Sequence, residues 1–224
     1  MDASQFIHFV SCEFNLDNYH PEQFDRLKIF LPEEIRRSVA KRQAEFLVGR
    51  FVATKALLRS GFVDSSTPII AIGKNREPIW PNGYVGSITH NKNTAICAID
   101  NIETTSLLGI DVETILDDET ASEIASQIHD EVEKFVLVDN GFTSNQATTL
   151  IFSAKEAIFK ALYPIVQEFF GFESFRVKYI DIHRQIITFT MSVTFPYKSK
   201  LQENYIIHYQ RNKDQFLTSL IVGR

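Results

Sequence analysis

The sequence predicts an α+β protein built as two α/β halves of similar size, residues 1–105 and 106–224, and three observations predict it. Apolar residues recur at helical spacing in two separate places, at Ala44, Leu47, Val48, Phe51, Thr54 and Leu58 and again along Leu150–Leu162. Each helical stretch is followed by strand-length runs rich in Ile, Val, Phe and Tyr. The resulting order is β, α, β, β and then α, β, β, β, changing over near residue 105. No low-complexity linker lies there, so the halves are expected to pack as one unit.

Taken in order, residues 5–14 suit a strand. Pro32-Glu33-Glu34 opens a helical region, with proline and acids where a helix N-terminus favours them. The long helix then runs from Gln43 to Arg59 and stops at Gly61. Residues 67–86 hold Pro68, Gly73, Pro78, Pro81, Gly83 and Gly86 and read as loop with short strand. Ala95–Ile99 and Leu107–Val112 are two apolar runs that predict neighbouring buried strands. Ser122–Ile128 and Asp130–Val138 read as short helices, and Asn140-Gly141 as a turn. A longer helix covers 148–163, ended by Pro164. Ile180–His183, Ile186–Val193, Asn204–Tyr209 and Phe216–Val222 complete the chain as antiparallel strands.

Hydrophobic residues at 44% and charged residues at 23% are ordinary for a globular protein. The formal net charge of −5 argues against a general nucleic-acid binder, which needs a basic footprint. Cys12 and Cys97 match no metal-ligand spacing, and two free thiols in a reduced cytoplasmic protein account for them. Met1–Gln5 shows no basic region leading into an apolar run, and no stretch is apolar enough to span a bilayer. A cytoplasmic protein without a membrane segment is therefore expected.

Four features carry chemistry. Asp111 and Glu113, two apart on a predicted strand, leave the same face. They are either solvated acids at a strand end or oxygen ligands for Mg²⁺, with Mn²⁺ the alternative. Glu156 and Lys160 form an i,i+4 pair on an apolar-rich helix. They are either a surface ion pair worth roughly 0.3–0.5 kcal/mol, or a third metal ligand beside a lysine that meets phosphate or moves a proton. Gly86-Ser87-Ile88-Thr89 reads as a small-residue turn before His90, and its hydroxyls and imidazole could donate to phosphate. Lacking the second glycine of Gly-x-Ser-x-Gly, it is no nucleophile elbow. Finally, Arg36, Arg37, Lys41, Arg42, Arg50, Lys55 and Arg59 face a single acid, Glu45, within their stretch. Gly49 and Arg42 share a helix face there, which suits a phosphate-bearing ligand or a solvated surface.

Together these segments resemble the phosphopantetheinyl transferases of the surfactin and enterobactin synthetase type. The resemblance rests on Arg42…Gly49-Arg50, Pro78-Ile79-Trp80-Pro81 leading to Gly86–His90, Gly109-Ile110-Asp111-Val112-Glu113, and Phe152-Ser153-Ala154-Lys155-Glu156 with Lys160. It covers about residues 36–163 and is strongest toward the enterobactin branch, through Trp80-Pro81 and Gly49-Arg50. It implies two similar halves packed as a pseudo-dimer with the active site in their cleft. The N-terminal half would carry the 3′-phosphate side of coenzyme A and the His90 loop, the C-terminal half the metal and catalytic residues. Coenzyme A is the implied donor, Mg²⁺ the metal, and a serine on an apo carrier domain of a nonribosomal peptide synthetase, or an acyl carrier protein, the acceptor.

Carried over by position, Asp111, Glu113 and Glu156 hold the metal, and Glu156 and Lys160 are both candidates for the catalytic proton acceptor. Arg42, Arg50, Arg76, Thr89, His90, Asp111, Lys155 and Lys160 are the implied coenzyme-binding residues. The family often has a basic residue where this chain has Glu77, so either Arg76 supplies that phosphate contact or the contact is absent. Nineteen phenylalanines leave Phe169, Phe170 and Phe172 as candidates for apolar contact with the carrier, with core burial expected for at least two of them. Two halves in one chain imply a monomer. The competing readings are another Mg²⁺-dependent phosphotransferase, against which no phosphate-binding Gly-x-x-x-x-Gly-Lys loop is present, and a non-catalytic carrier-binding module.

Overall fold

The computed structural model describes residues 7–63 and 68–224. The predicted strand from residue 5 and the predicted loop from residue 67 therefore begin outside the described residues. The chain divides into two units, one ending at Leu108 and including Val222–Arg224, the other Gly109–Ile221.

In the first unit, β1 (His8–Glu13) leads through a short 3-10 turn to α1 (Gln23–Leu27) and α2 (Glu33–Arg36). The long helix α3 (Ala40–Arg59) follows, then β2 (Ala71–Ile72), β3 (Pro78–Ile79), β4 (Tyr84–His90) and β5 (Thr94–Asn101). β1, β5 and β4 form an antiparallel sheet with β5 central, in register Val10↔Cys97 and Ile88↔Cys97. The apolar stripe of α3 lies on this sheet: Val52, Ala53, Ala56 and Leu57 are fully buried with Ala95, Cys97 and Ile99. Gly49 belongs to the same contact, since a methyl there would come within 3.3 Å of the Ile88 side chain. The glycine expected to admit a ligand serves helix–sheet packing instead. Both cysteines are free thiols.

β6 (Thr105–Thr114) crosses into the second unit, followed by α4 (Asp118–Ile128), α5 (Glu131–Val138) and α6 (Ser144–Val166). Then come β7 (Phe175–Asp181), β8 (Ile186–Met191), β9 (Asn204–Asn212) and β10 (Gln215–Gly223). The sheet order is β6-β10-β9-β8-β7, with β7 to β10 a consecutive antiparallel meander. Alternate residues of β8, β9 and β10 are buried, among them Ile187, Phe189, Tyr205, Ile207, Phe216 and Thr218, as period-2 patterning requires.

Three expectations change. The apolar runs at 95–99 and 107–112 are both buried strands, but they lie in different sheets: β5 pairs with β1 and β4, and β6 lies beside β10. Gly86–His90 is no turn; it is most of β4, paired residue for residue with β5 from Gly86↔Ile99 to His90↔Ala95. Pro164 does not end its helix, which continues to Val166 and closes on Gln167 at φ 56°. Proline removes a single N–H and sits where few intrahelical bonds remain downstream, so the last turn survives it. At its other end α6 starts at Ser144, behind a capping box of Thr143 and Gln146 that the apolar periodicity does not reveal.

A buried histidine gives this fold a pH sensitivity. His129 follows α4, with Nε2 2.9 Å from the Thr148 hydroxyl and Nδ1 3.1 Å from the Asp130 carbonyl. A neutral ring satisfies both if Nδ1–H donates to the carbonyl and the hydroxyl donates to Nε2. Burial holds its pKa below the ordinary value of 6.5, with the Asp130 carbonyl opposing. The unfolded chain therefore takes up a proton first, so stability is present above about pH 6.5 and declines as pH falls toward the folded-state pKa. The unfolding midpoint of His129→Gln is expected to fall less than that of the wild type over that window in thermal melts. A parallel decline in both would refute the assignment.

Candidate active site

The second unit brings four of the singled-out residues together. Asp111 and Glu113 lie two apart on β6, and Glu156 and Lys160 one turn apart on α6. Gly109 makes this convergence feasible: a methyl there would overlap the Ala157 carbonyl oxygen and come within 2.7 Å of Ala161 N. The strand thus lies directly against the helix backbone at the Ala157/Ala161 face. Two residues along, Asp111 Oδ1 accepts from Lys160 Nζ at 2.6 Å, with the Asp111 side chain 5% exposed and that of Lys160 27% exposed. Behind the pair, Ser153 and Thr218 hydroxyls lie 2.9 Å apart, and Thr218 Oγ1 also donates to the Ser153 carbonyl at 2.9 Å. These buried bonds tie α6 to β10, beside β6.

The electrostatics record carboxylate crowding. Burial, and then Asp111 and Glu156, push Glu113 up to about 7, with Lys160 opposing. Glu156 is likewise raised, first by burial and then by Asp111, again with Lys160 opposing. Asp111 and Glu156 are thus near enough to disfavour charge on Glu113, and Asp111 does the same to Glu156, with Lys160 as the compensating cation. Among the described residues, no three His, Cys, Asp or Glu side chains are gathered as a ready metal cage. For Mg²⁺ that is the ordinary condition, because this ion usually takes one or two carboxylates and completes its octahedron with water and substrate phosphates. An oxygen-only, mutually repelling donor set fits that ion.

Beside Glu156 lies a cavity of about 300 Å³ lined by Phe159, Phe169, Phe170, Phe172 and Phe175 together with Lys155. Phe170 and Phe172 are partly buried in ring contacts with Phe159, Phe175 and Phe152, whereas Phe169 is 71% exposed.

Apart from Lys155 on α6, the other expected coenzyme ligands belong to the first unit. Thr89 and His90 are successive residues of β4 and so face opposite sides of its sheet; Thr89 is buried and His90 half-buried. His90 shares its face with Ile88, which packs on the α3 core. Arg50 is buried: Nε donates to the Ile70 carbonyl at 2.9 Å and the guanidinium stacks 4.7 Å from the Phe46 ring. Burial and the nearby Arg42 lower its pKa to about 10. Arg50 is thus engaged in holding the segment before β2 to α3, which sets it apart from the half-buried Arg42 as a phosphate ligand. Arg36 and Arg37 both pair with Glu33, the solvated alternative for that end of the basic stretch.

Arg76 is exposed at φ 69° in the β2–β3 hairpin. The Glu77 carboxylate folds back over that turn and accepts from Asn75 N–H at 2.8 Å, which accounts for an acid where a base was expected. Lys155 departs furthest from expectation. Its side chain is 2% exposed, and Nζ donates to the Ile128 carbonyl at 2.7 Å and pairs with Glu133 Oε1 at 2.8 Å. Its ammonium is committed inside the unit. Glu133 was not singled out from the sequence; the only trace of it is the Asp130-x-x-Glu133 capping box, which does not predict a buried partner.

Comparison with known proteins fits this geometry. Residues 31–100 match the family described as 4'-phosphopantetheinyl transferase N-terminal domain, and residues 107–215 match the 4'-phosphopantetheinyl transferase superfamily. Enterobactin synthase component D of Escherichia coli (strain K12) is 33% identical over 190 residues, covering 82% of this chain and 84% of the relative. Its counterpart in Salmonella typhi is 35% identical over 159 residues, covering 71% of this chain. The 4'-phosphopantetheinyl transferase PptT of Mycobacterium tuberculosis is 32% identical over 152 residues, covering 66% of this chain and 65% of the relative. The match spans 63% of the Salmonella typhi protein's own length. The chain belongs to the 4'-phosphopantetheinyl transferase superfamily, and it is similar to component D proteins over most of its length.

Proposed function

We propose that this chain is a 4'-phosphopantetheinyl transferase that moves phosphopantetheine from coenzyme A to a serine of an apo carrier protein, with Mg²⁺. The observation that carries the reading is the meeting of Asp111, Glu113, Glu156 and Lys160 across β6 and α6 in a chain of this superfamily. The acceptor we propose is a peptidyl or aryl carrier domain of a siderophore-type nonribosomal peptide synthetase, with the chain acting as a cytoplasmic monomer; relatives named enterobactin synthase component D accord with the siderophore setting. An acyl carrier protein is a further acceptor. Among the described residues no helix is long and apolar enough to cross a membrane.

In this reaction the serine Oγ attacks the β-phosphorus of the coenzyme pyrophosphate. The bond to the bridging oxygen breaks, and 3′,5′-adenosine bisphosphate departs with the electron pair. Mg²⁺ held by Asp111, Glu113 and Glu156 would neutralise charge on the pyrophosphate oxygens. An ammonium bonded to Asp111 at 2.6 Å has no lone pair for a proton. That favours Glu156 as the acceptor of the serine proton and Lys160 as a cation facing the transferring phosphoryl group. Arg42, Arg76, Thr89 and His90 are proposed for the coenzyme phosphates, with Arg50 orienting the backbone around them.

The test is the intact mass of a purified apo carrier domain after incubation with the chain, coenzyme A and Mg²⁺. A gain of one phosphopantetheine group is expected, absent without metal. Asp111→Ala is expected to abolish the gain while leaving the circular-dichroism spectrum unchanged, and retained transfer would sink the metal assignment. No gain with several unrelated carriers would leave a binding module or another phosphotransferase.

A further inference from the structure

Lys155 and Glu156 are neighbours on α6, about 100° apart around the helix, and they serve different surroundings. Glu156 meets the charges of Asp111 and Lys160. Lys155 points into the body of the unit, where its ammonium reaches the carbonyl of Ile128, the last residue of α4. It also pairs with Glu133 on α5, and the carbonyl end of α4 favours a cation there. Glu133 Oε1 in addition accepts from Val177 N–H of β7 at 3.0 Å. Its Oε2 accepts from Asp130 N–H at 3.2 Å, closing the cap of α5. One buried ion pair therefore fixes α4, α5 and β7 against a single turn of α6, the turn that carries Glu156.

A buried pair of this kind is weak as a source of stability, because desolvating two charges offsets most of their attraction. It is strong as a register device, since its bonds are satisfied in one rotation and one axial setting of the helix. Leu or Met could fill the same volume at similar stability but would permit neighbouring settings.

We infer that the Glu133–Lys155 pair is a positioning element for the metal site: it sets the rotation of α6 that aims Glu156 at Asp111 and Glu113. Lys155 is accordingly a positioning residue and not a ligand of the coenzyme phosphates. This rests on the transferase reading only for the identity of the site; the geometric claim concerns cation binding by the chain itself.

The experiment measures Mn²⁺ binding to the purified chain by electron paramagnetic resonance without coenzyme or carrier, beside thermal melts and the KM for coenzyme A. Glu133→Gln, nearly isosteric, is expected to fold with a lowered melting midpoint and to bind Mn²⁺ about tenfold more weakly, the effect typical of losing a residue that orients a ligand. Its KM for coenzyme A should stay within about twofold of the wild type, since both partners are buried against each other and away from any phosphate. Lys155→Met should match it, and the double variant should be no weaker than either single one, because both remove the same constraint. Should Lys155→Met fail to fold, Lys155→Arg, which keeps the charge but not the geometry, is expected to show the intermediate loss.

Wild-type Mn²⁺ affinity in Glu133→Gln would overturn the proposal. So would a raised KM for coenzyme A in Lys155→Met without one in Glu133→Gln, which would make Lys155 a phosphate ligand. No detectable Mn²⁺ binding by the wild-type chain would overturn it as well. If instead the Mn²⁺ results stand while no carrier is modified, the positioning role holds and the transferase reading fails.

Discussion

Glu156→Gln is expected to leave an apo carrier domain unmodified at enzyme concentrations where the wild type completes the reaction. The change keeps the side chain's volume and removes its charge. It therefore takes away the proposed metal ligand and the proposed proton acceptor together, while the half-buried position and the helix remain satisfied. Loss of a preorganised charged group aimed at developing charge lowers turnover by about 10²–10³, or roughly 3–4 kcal/mol of barrier. With two roles vested in one carboxylate, the upper end is expected. Removing one member of a mutually repelling trio also relieves Glu113, whose pKa of about 7 is raised in part by Glu156. The variant should therefore melt no lower than the wild type without metal. Equal transfer by Glu156→Gln would remove this residue from the mechanism, and a lower midpoint would show that its charge is structural.

Gly109→Ala should give the largest loss of stability from adding one methyl group. The methyl would overlap the Ala157 carbonyl oxygen, and that atom belongs to helix backbone held by buried neighbours on both sides. Relief requires β6 and α6 to separate, which also lengthens the Lys160–Asp111 contact of 2.6 Å. Overpacking of this kind costs about 1–3 kcal/mol, and a backbone clash belongs at the top of the range. For a chain of this size about 3 kcal/mol corresponds to a fall of roughly 6–12 °C in the melting midpoint. Transfer is expected to fall even where the variant is folded, because strand–helix separation disperses the carboxylates. A midpoint within about 2 °C of the wild type would mean that β6 does not bear on α6 as described.

Much of this was legible in the chain. The two long helices announce themselves by apolar periodicity, and the strands of the second unit by β-branched and aromatic runs between turn residues. Asp-x-Glu on a strand and Glu-x-x-x-Lys on a helix name four groups that do converge. What failed has a common physical origin. Gly86–His90 has the composition of a turn, yet β5 supplies a partner for each of its residues, and cross-strand hydrogen bonding overrode local preference. Gly49 looks like room for a ligand, whereas the Ile88 side chain of the neighbouring sheet packs against it. Arg50 lies in the basic stretch suited to phosphate and Lys155 is a coenzyme ligand implied by the resemblance; folding gives Arg50 the Ile70 carbonyl and Lys155 the Ile128 carbonyl and Glu133 as partners.

By itself the sequence determined the element types, the superfamily, and which residues could carry metal and proton chemistry, because periodicity and motif spacing are local properties of the chain. The tertiary structure alone decided which charges are free to act. Burial and partnership depend on residues far apart in sequence: Lys155 finds Glu133, Glu77 turns onto its own hairpin, and Lys160 reaches Asp111 across a glycine-thin contact. A side chain's charge is written in the chain, but its availability is fixed by what folding places around it.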